Sequence, residues 1–103
     1  MKDFKTYYAV IFTSTQTANI EGYGEMAQKM EDLAKQQEGF ISIDSARETV
    51  GITVSYWESL DAIKIWKQNS EHLLAQQKGR QQWYRWYNAK ICKVEREYEF
   101  GDK

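Results

Sequence analysis

The sequence predicts an α+β fold of the ferredoxin-like, split βαβ type, in which an antiparallel four-stranded sheet carries two helices on one face. Four segments have strand-like apolar patterns, two have helical spacing, and their order along the chain is β-α-β-β-α-β. No repeat, low-complexity tract or proline-containing linker interrupts the 103 residues. We therefore expect residues 1–103 to form a single domain.

The first strand and the first helix have clear apolar patterns. Residues 7–14, YYAVIFTS, are apolar on both sides of the two-residue period, which is typical of a strand covered on both faces. From about Glu21 to Gln37, apolar residues recur at helical spacing against a charged face. Gly39 is expected to end this helix in the left-handed conformation, with Phe40 as the apolar contact beyond it.

A hairpin, a second helix and a last strand follow. Segments 40–48 and 52–57 flank the turn 49–51 and predict a β-hairpin. Ser59 is suited to cap a second helix that reaches about Lys78. Alternation of apolar and charged residues over 89–100 predicts a long final strand.

The predicted sheet has more apolar surface than two helices can cover. Strand 1 and the hairpin would leave a large apolar patch on the helix-free face, and such a patch in a monomer promotes aggregation. The aromatic content of 15%, with four Trp and seven Tyr, also exceeds what one thin core holds. We therefore predict a homodimer in which two sheets pack face to face.

Composition argues against several classes of partner. The formal net charge is −1, so no overall positive field attracts nucleic acid or anionic lipid. Cys92 is the single cysteine, which prevents an intrachain disulfide and fits a cytoplasmic location. The apolar run from Tyr7 is too short for a membrane span or a signal peptide.

Several stretches of the second half resemble a known family. The residues that carry the resemblance are Gly51-Ile-Thr-Val-Ser-Tyr-Trp-Glu-Ser59, Ile65-Trp66-Lys67, Glu71-His72, Ala75-Gln76, Gly79-Arg80, Trp83-Tyr84, Tyr87 and Val94-Glu-Arg-Glu-Tyr98. Together with Gly39-Phe40 and the strand 1 pattern, they are similar to the antibiotic biosynthesis monooxygenase domain family, specifically a bacterial subgroup of uncharacterised members. The resemblance implies a dimeric α+β barrel.

The resemblance also implies two kinds of activity. One is oxidation of phenolic or quinol substrates by molecular oxygen without metal or flavin, and the other is oxidative degradation of haem. In the haem-degrading members a helix 2 Trp, matched here by Trp66, is followed ten residues later by an axial His, and strand 1 carries an Asn. Those two positions fall here on Gln76 and about Ile11, which argues against haem degradation, although His72 is available as a displaced ligand. We therefore expect the protein to have no cofactor, and haem remains the alternative.

A stripe of functional side chains is predicted on helix 2 if this helix continues past Gly79. The stripe would comprise His72, Gln76, Arg80, Trp83 and Tyr87. A flat aromatic substrate needs apolar walls, donors for its oxygens and a base that forms the phenolate. We predict His72 as the catalytic base, because imidazole titrates near neutral pH. The predicted substrate-binding residues are Trp57, Trp66, Gln76, Arg80, Trp83 and Tyr87.

Structural interpretations of the same residues remain open. A lone histidine on a polar helix is more often a surface residue than a catalyst, and Trp57 and Trp66 suit a core as well as a pocket wall. Arg80 equally fits an ion pair or a helix end. Tyr87, together with Tyr84 and Trp86, also fits a dimer interface, and Gly79 is able to end the helix.

Three functional hypotheses follow. The first is a cofactor-independent monooxygenase that acts on a small aromatic molecule. The second is a dimer that binds a small ligand, including haem, without catalysis. The third is nucleic-acid binding through the basic, aromatic stretch from Lys78 to Lys93, which the acidic strand after it disfavours. The first is the main prediction.

Overall fold

Six elements follow one another in the predicted order in a computed structural model of the chain, which describes residues 4–76 and 82–103. Their bounds are β1 Tyr7–Gln16, α1 Tyr23–Lys35, β2 Phe40–Arg47, β3 Gly51–Trp57, α2 Leu60–Gln76 and β4 Tyr84–Val94. The strands form one sheet in the order β2-β3-β1-β4, and every neighbouring pair is antiparallel. The predicted ferredoxin-like, split βαβ fold is therefore confirmed.

Both helices cover the same face of the sheet. Trp57 of β3 packs with Ala34 of α1 and Ile63 of α2, and Tyr8, which pairs with Trp57, joins the same cluster. Side chains alternate along a strand, so the neighbours of these residues face the other way. We call this other side the open face. Its residues are Tyr7, Ala9, Ile11 and Thr13 of β1, Ile52, Val54 and Tyr56 of β3, and Lys90, Cys92 and Val94 of β4.

Gly39 and Ser59 have the local conformations that the sequence predicts, although α1 ends at Lys35, four residues before Gly39. Gly39 has φ of 87°, and a Cβ atom there would lie 2.7 Å from the Cβ of Ala62, so neither the conformation nor the space suits another residue. At the start of α2, the hydroxyl of Ser59 accepts a hydrogen bond from the backbone N–H of Ala62 at 3.1 Å. Gly39 therefore lies in the turn that leads from α1 into β2, and Ser59 caps the start of α2.

The helix side of the sheet has two apolar clusters. In the first, the Trp57 ring stacks on Trp66 with centroids 5.7 Å apart, and its indole N–H donates to the Ser55 hydroxyl at 2.9 Å. In the second, Trp83 packs with Met26 and Leu74. These clusters lie at different positions under the helices, and a cavity lies between the helices and the sheet.

The last strand differs from its prediction at both ends. The sequence predicts it over 89–100, whereas it runs from Tyr84 to Val94. Val94 pairs with Tyr7, the first residue of β1, so the alternation that continues to Phe100 has no partner strand. Tyr98 and Phe100 are instead 88% and 101% exposed.

The helical stripe predicted from His72 does not include Tyr87. Helix α2 is described as far as Gln76, residues 77–81 lie outside the described residues, and the chain is already in β4 at Tyr84. Tyr87 pairs with Ser14 as a strand residue. Tyr87 therefore occupies a different element from His72, and helical periodicity does not relate the two.

Candidate active site

A cavity of about 600 Å³ lies between the two helices and the helix side of the sheet. Its walls come from all six elements, and most of them are aliphatic or aromatic. The aromatic lining residues are Phe12, Tyr23, Trp66, Tyr84 and Tyr87. The volume and the apolar walls suit a small flat molecule.

Among the described residues, two cationic side chains line the cavity, and Arg47 is the one that extends from the sheet. It ends β2 and pairs across the hairpin with Gly51. A Cβ atom at position 51 would overlap the guanidinium, so the glycine leaves the space that the arginine occupies. The Nη2 group donates a hydrogen bond to the hydroxyl of fully buried Ser14, and the guanidinium lies 5.5 Å from the centre of the Tyr23 ring.

The second terminal nitrogen of Arg47 has no partner. Nη1 is buried and makes no hydrogen bond to any residue in 4–76 or 82–103. Within the same ranges, no carboxylate lies within 4.0 Å of the guanidinium. Arg47 as a whole is partly exposed, but a charged N–H group that is buried without an acceptor is costly, so this arrangement is unusual for a purely structural arginine.

Three tyrosines surround this end of the cavity. Tyr84 lies edge-on to Tyr23 at 5.9 Å and to Tyr87 at 5.5 Å. Burial raises the pKa of the Tyr84 hydroxyl well above its ordinary value, and the neighbouring Tyr23 hydroxyl adds to the effect. Tyr84 is therefore a neutral hydrogen-bond donor at physiological pH.

Two of the predicted binding residues line the cavity, and two do not. Trp66 and Tyr87 are both in the lining. Trp57 is fully buried behind Trp66 and contributes to the core. Trp83 is also buried outside the lining, and its indole N–H donates to the backbone oxygen of Glu21 at 2.7 Å, which ties the start of α1 to the start of β4.

The remaining predicted residues do not have described contacts with the cavity. His72 is exposed and is absent from the lining, because α2 turns a different face inward. That face consists of Ile63, Trp66, Lys67, Ser70, Glu71 and Leu74. The side chain of Gln76 and the whole of Arg80 lie outside the described residues. The catalytic role of His72 stays a prediction.

Arg47, Ser14, Tyr23 and Tyr84 were not predicted as site residues. One signal for Arg47 was present in the sequence. Ile43 and Arg47 are four residues apart in a strand, so the alternation that turns Ile43 toward the core also turns the arginine inward. A charged residue at an inward position of a strand indicates either a buried pair or a binding site.

The chain belongs to the antibiotic biosynthesis monooxygenase family, whose model matches residues 6–78. YqjZ, an uncharacterised protein of Bacillus subtilis, is 49% identical over 98 residues, which cover 93% of this chain and 86% of that protein.

Solved structures share the fold at low sequence identity. SnoaB of Streptomyces nogalater, a cofactor-independent oxygenase crystallised in a mutant form, has a TM-score of 0.63 at 13% identity over 96% of this chain and 100% of that one. A protein of unknown function from Nitrosomonas europaea has a TM-score of 0.72 at 8% identity over 95% of this chain and 98% of that one. At this identity the likeness concerns the fold alone.

Residues 4–76 and 82–103 contain no group of three or more His, Cys, Asp or Glu side chains that could hold a metal ion. In the same part of the chain, neither helix has the length and apolar character needed to cross a membrane.

Haem does not fit the cavity in the way that the haem-degrading relatives imply. The chain has one histidine, His72, and this residue lies outside the lining. Ile11, at the strand 1 position, belongs to the open face and points away from the cavity. Its neighbours Val10 and Phe12 do line the cavity, but neither side chain donates a hydrogen bond.

Proposed function

We propose that the protein is a cofactor-independent monooxygenase-like enzyme that oxidises a small phenolic or quinol substrate with molecular oxygen. The observation that carries the proposal is the cavity, which has apolar, aromatic walls and the cation of Arg47 on its sheet side. Membership of the antibiotic biosynthesis monooxygenase family supports the same class of reaction. SnoaB, with the same fold, is a cofactor-independent oxygenase.

The substrate supplies the electrons in this reaction. Loss of the phenolic proton gives an electron-rich phenolate, which transfers electrons to dioxygen, and one oxygen atom bonds to the ring carbon opposite the hydroxyl. The second oxygen atom leaves as water with the two hydrogens that the substrate loses. A phenol and O2 thus give a quinone and one water molecule.

Some cavity residues pack against the substrate ring, and others form hydrogen bonds to its oxygens. Trp66, Phe12 and Tyr87 provide surfaces on which an aromatic ring stacks, and Tyr84 is a neutral donor for a substrate oxygen. His72 is the base predicted from the sequence. Because its imidazole lies outside the lining, we propose that the phenolic proton passes to the solvent at the cavity mouth.

Oxygen uptake tests this proposal. The purified protein is incubated with panels of phenols, quinols and polycyclic hydroxyaromatics, and the product is checked for one atom from labelled O2. Thr53→Trp fills the sheet side of the cavity and should lower turnover at least about tenfold, because it displaces the ring from its reactive position. Thr49→Trp, in the exposed turn of the hairpin, is the matched control and should retain activity. Absence of oxygen uptake with every panel would contradict the proposal.

A ligand-binding protein without catalysis is the second candidate. The exposed position of His72 favours it, since the described cavity then lacks the imidazole base predicted for catalysis. Binding of the same aromatic panels without oxygen uptake would support this candidate. A haem titration addresses its haem version, for which a Soret change that His72→Ala abolishes is the supporting result.

We further propose that the protein acts as a homodimer built on the open face. Ile52 is 46% exposed there, and Val54, Tyr56 and Ile11 continue the apolar surface across β3 and β1. An exposed apolar surface of this kind marks a contact site. The tail after β4 contributes Tyr98 and Phe100, both strongly exposed. Sedimentation at micromolar concentration should give a dimer, and a stable monomer would contradict the proposal.

The proposed setting is the cytoplasm. Cys92 is partly exposed on β4, and a single cysteine cannot form an intrachain disulfide. Fractionation of cells that produce the native chain tests the location, and recovery outside the cytoplasmic fraction would contradict it.

A further inference from the structure

We propose that the cavity selects aromatic molecules that carry an ionised oxygen, and that Arg47 is the residue that binds this oxygen. The inference rests on the proposed function, since it concerns the ligand of the same cavity. It specifies the ligand class as an aromatic ring with one phenolate or carboxylate group.

The first support is the unsatisfied charge. Nη1 of Arg47 is buried without an acceptor among the described residues, and no described carboxylate pairs with the guanidinium. Burying a charged N–H group without an acceptor is unfavourable, and an anionic ligand would supply the missing partner. Arginine is also the residue best shaped for an oxyanion, because its N–H groups form a rigid fork.

The second support is that the guanidinium is held in place before any ligand binds. Ser14 accepts the hydrogen bond from Nη2, the Tyr23 ring lies beside the cation, and Gly51 leaves the space. A side chain that is already ordered loses little entropy on binding, so the contact is stronger than one made by a free arginine.

The third support is the distribution of the other charges. The remaining charged lining residues are Glu31, Lys67 and Glu71, and all three lie on the helices. Glu31 already has Lys35 at 3.9 Å, and Lys67 and Glu71 are exposed to water. Exposed charges are screened by solvent, so Arg47 is the dominant electrostatic feature of the sheet side of the cavity.

The inference also has a consequence for the reaction. A cation beside a phenol oxygen stabilises the phenolate and lowers the pKa of the bound phenol. The phenolate is the form that transfers electrons to oxygen, so Arg47 would reduce the need for a strong base in the cavity. This would explain how turnover proceeds with His72 outside the lining.

A matched pair of ligands tests the inference through binding alone. 2-Naphthoate and 2-naphthamide have nearly the same shape and differ in charge, and tryptophan fluorescence or calorimetry reports their affinities. We expect the native protein to bind the naphthoate at least about tenfold more tightly, which is typical of a hydrogen bond to a charged group. In Arg47→Gln the two affinities should become similar, and Arg47→Lys should restore part of the preference.

Two further variants separate the role of Arg47 in ligand binding from the effect of removing any arginine of the protein. Arg85→Gln removes an exposed arginine of β4 outside the lining and should keep the native preference. Gly51→Ala keeps the charge but displaces the guanidinium, and it should weaken naphthoate binding while leaving naphthamide binding nearly unchanged. Circular dichroism verifies that each variant is folded.

A third ligand distinguishes the two sources of negative charge. 4-Nitrophenol has separate absorbance bands for the phenol and the phenolate, so the pKa of the bound ligand is measured directly. A lowered pKa in the native protein and an unshifted one in Arg47→Gln would show that phenolates are bound, whereas binding of naphthoate alone would restrict the class to carboxylates.

The results that would overturn the inference differ from those that would overturn the proposed function. An equal affinity for naphthoate and naphthamide, no binding of either, or a preference that survives in Arg47→Gln would overturn the anion site. Binding that depends on Arg47, without oxygen uptake, would leave the site intact and contradict only the monooxygenase.

Discussion

The two faces of the sheet are similar in composition and differ in how their apolar residues are covered. On the helix side, Trp57 of β3 stacks on Trp66 of α2, and the cavity beside them is lined by the cationic Arg47. On the open face, Ile11 of β1 and Val54 of β3 lie opposite each other, and neither helix lies above them. One face thus encloses a polar group inside an apolar space, and the other is an apolar surface.

This difference indicates two separate tasks for one sheet. A cavity with one charge fixed on its sheet side is suited to select a small molecule, because its apolar walls strengthen the electrostatic contact. An extended apolar surface is suited to bury area against another surface of the same kind. Substitutions on the two faces should therefore change different measurements.

The largest effect is expected for the two stacked tryptophans. Trp57→Ala removes a fully buried indole and should lower the free energy of unfolding by about 3–5 kcal/mol. Trp66→Ala removes a partly buried indole that lines the cavity, so it should cost less stability and weaken ligand binding. Thermal unfolding and naphthoate titration of both variants provide the comparison. If Trp57→Ala and Trp66→Ala lowered the free energy of unfolding equally, the result would contradict the distinction between a core tryptophan and a cavity-wall tryptophan.

The next effect concerns the open face. Val54→Lys places a charge on this face, and in a two-fold dimer each copy would present it to the other. We expect the dimer dissociation constant to rise at least about 100-fold, or about 2.7 kcal/mol, because like charges are costly in an interface. Sedimentation measures this constant.

Ile65→Lys is the control for that prediction, since Ile65 is an exposed residue of α2 on the other side of the molecule. It should leave the dimer unchanged. Ligand binding by monomeric Val54→Lys would further show that the cavity is complete within one subunit, whereas a shared loss of both properties would contradict the separation of the two faces.

A smaller effect is expected from pH. The raised pKa of Tyr84 means that the folded state keeps this proton beyond the ordinary tyrosine pKa of about 10, at which the unfolded chain releases it. The contribution to stability is full below about pH 10 and decreases as the pH rises above it. Tyr84→Phe should therefore reduce the loss of stability in alkaline solution, measured by urea unfolding at several pH values.

The matched control for Tyr84→Phe is Tyr98→Phe in the exposed tail, which should unfold like the native chain at every pH. An alkaline dependence that is the same in Tyr84→Phe and the native chain would show that Tyr84 does not remain buried and protonated.

Periodicity in the sequence is sufficient to predict the fold but not the cavity. Strand alternation, helical spacing and the conformation of Gly39 depend on neighbours in the chain, and these predictions are confirmed. The end of β4 depends on where β1 begins, since Val94 pairs with Tyr7, and this information is not local. Alternation alone therefore places the last strand too late in the sequence.

The site is harder to predict because its residues converge from distant parts of the chain. Ser14, Tyr23 and Arg47 lie on β1, α1 and β2, and their contact follows from the register of the sheet. The predicted stripe instead assumes that one helix carries the whole site. Trp66 and Tyr87 do line the cavity, but they reach it from α2 and β4.

The smallest effect is expected for His72. Its side chain is exposed and lies outside the cavity lining, whereas the side chain of the preceding residue, Glu71, is part of the lining. The imidazole is therefore not placed against a ring that binds in the cavity. His72→Ala should change oxygen uptake less than about threefold, far below the roughly 10²–10⁴-fold contribution of a positioned general base. Arg47→Gln, assayed in parallel, should reduce turnover more. A loss of about 100-fold or more in His72→Ala would instead require the imidazole to reach the cavity during turnover, and would restore it as the catalytic base.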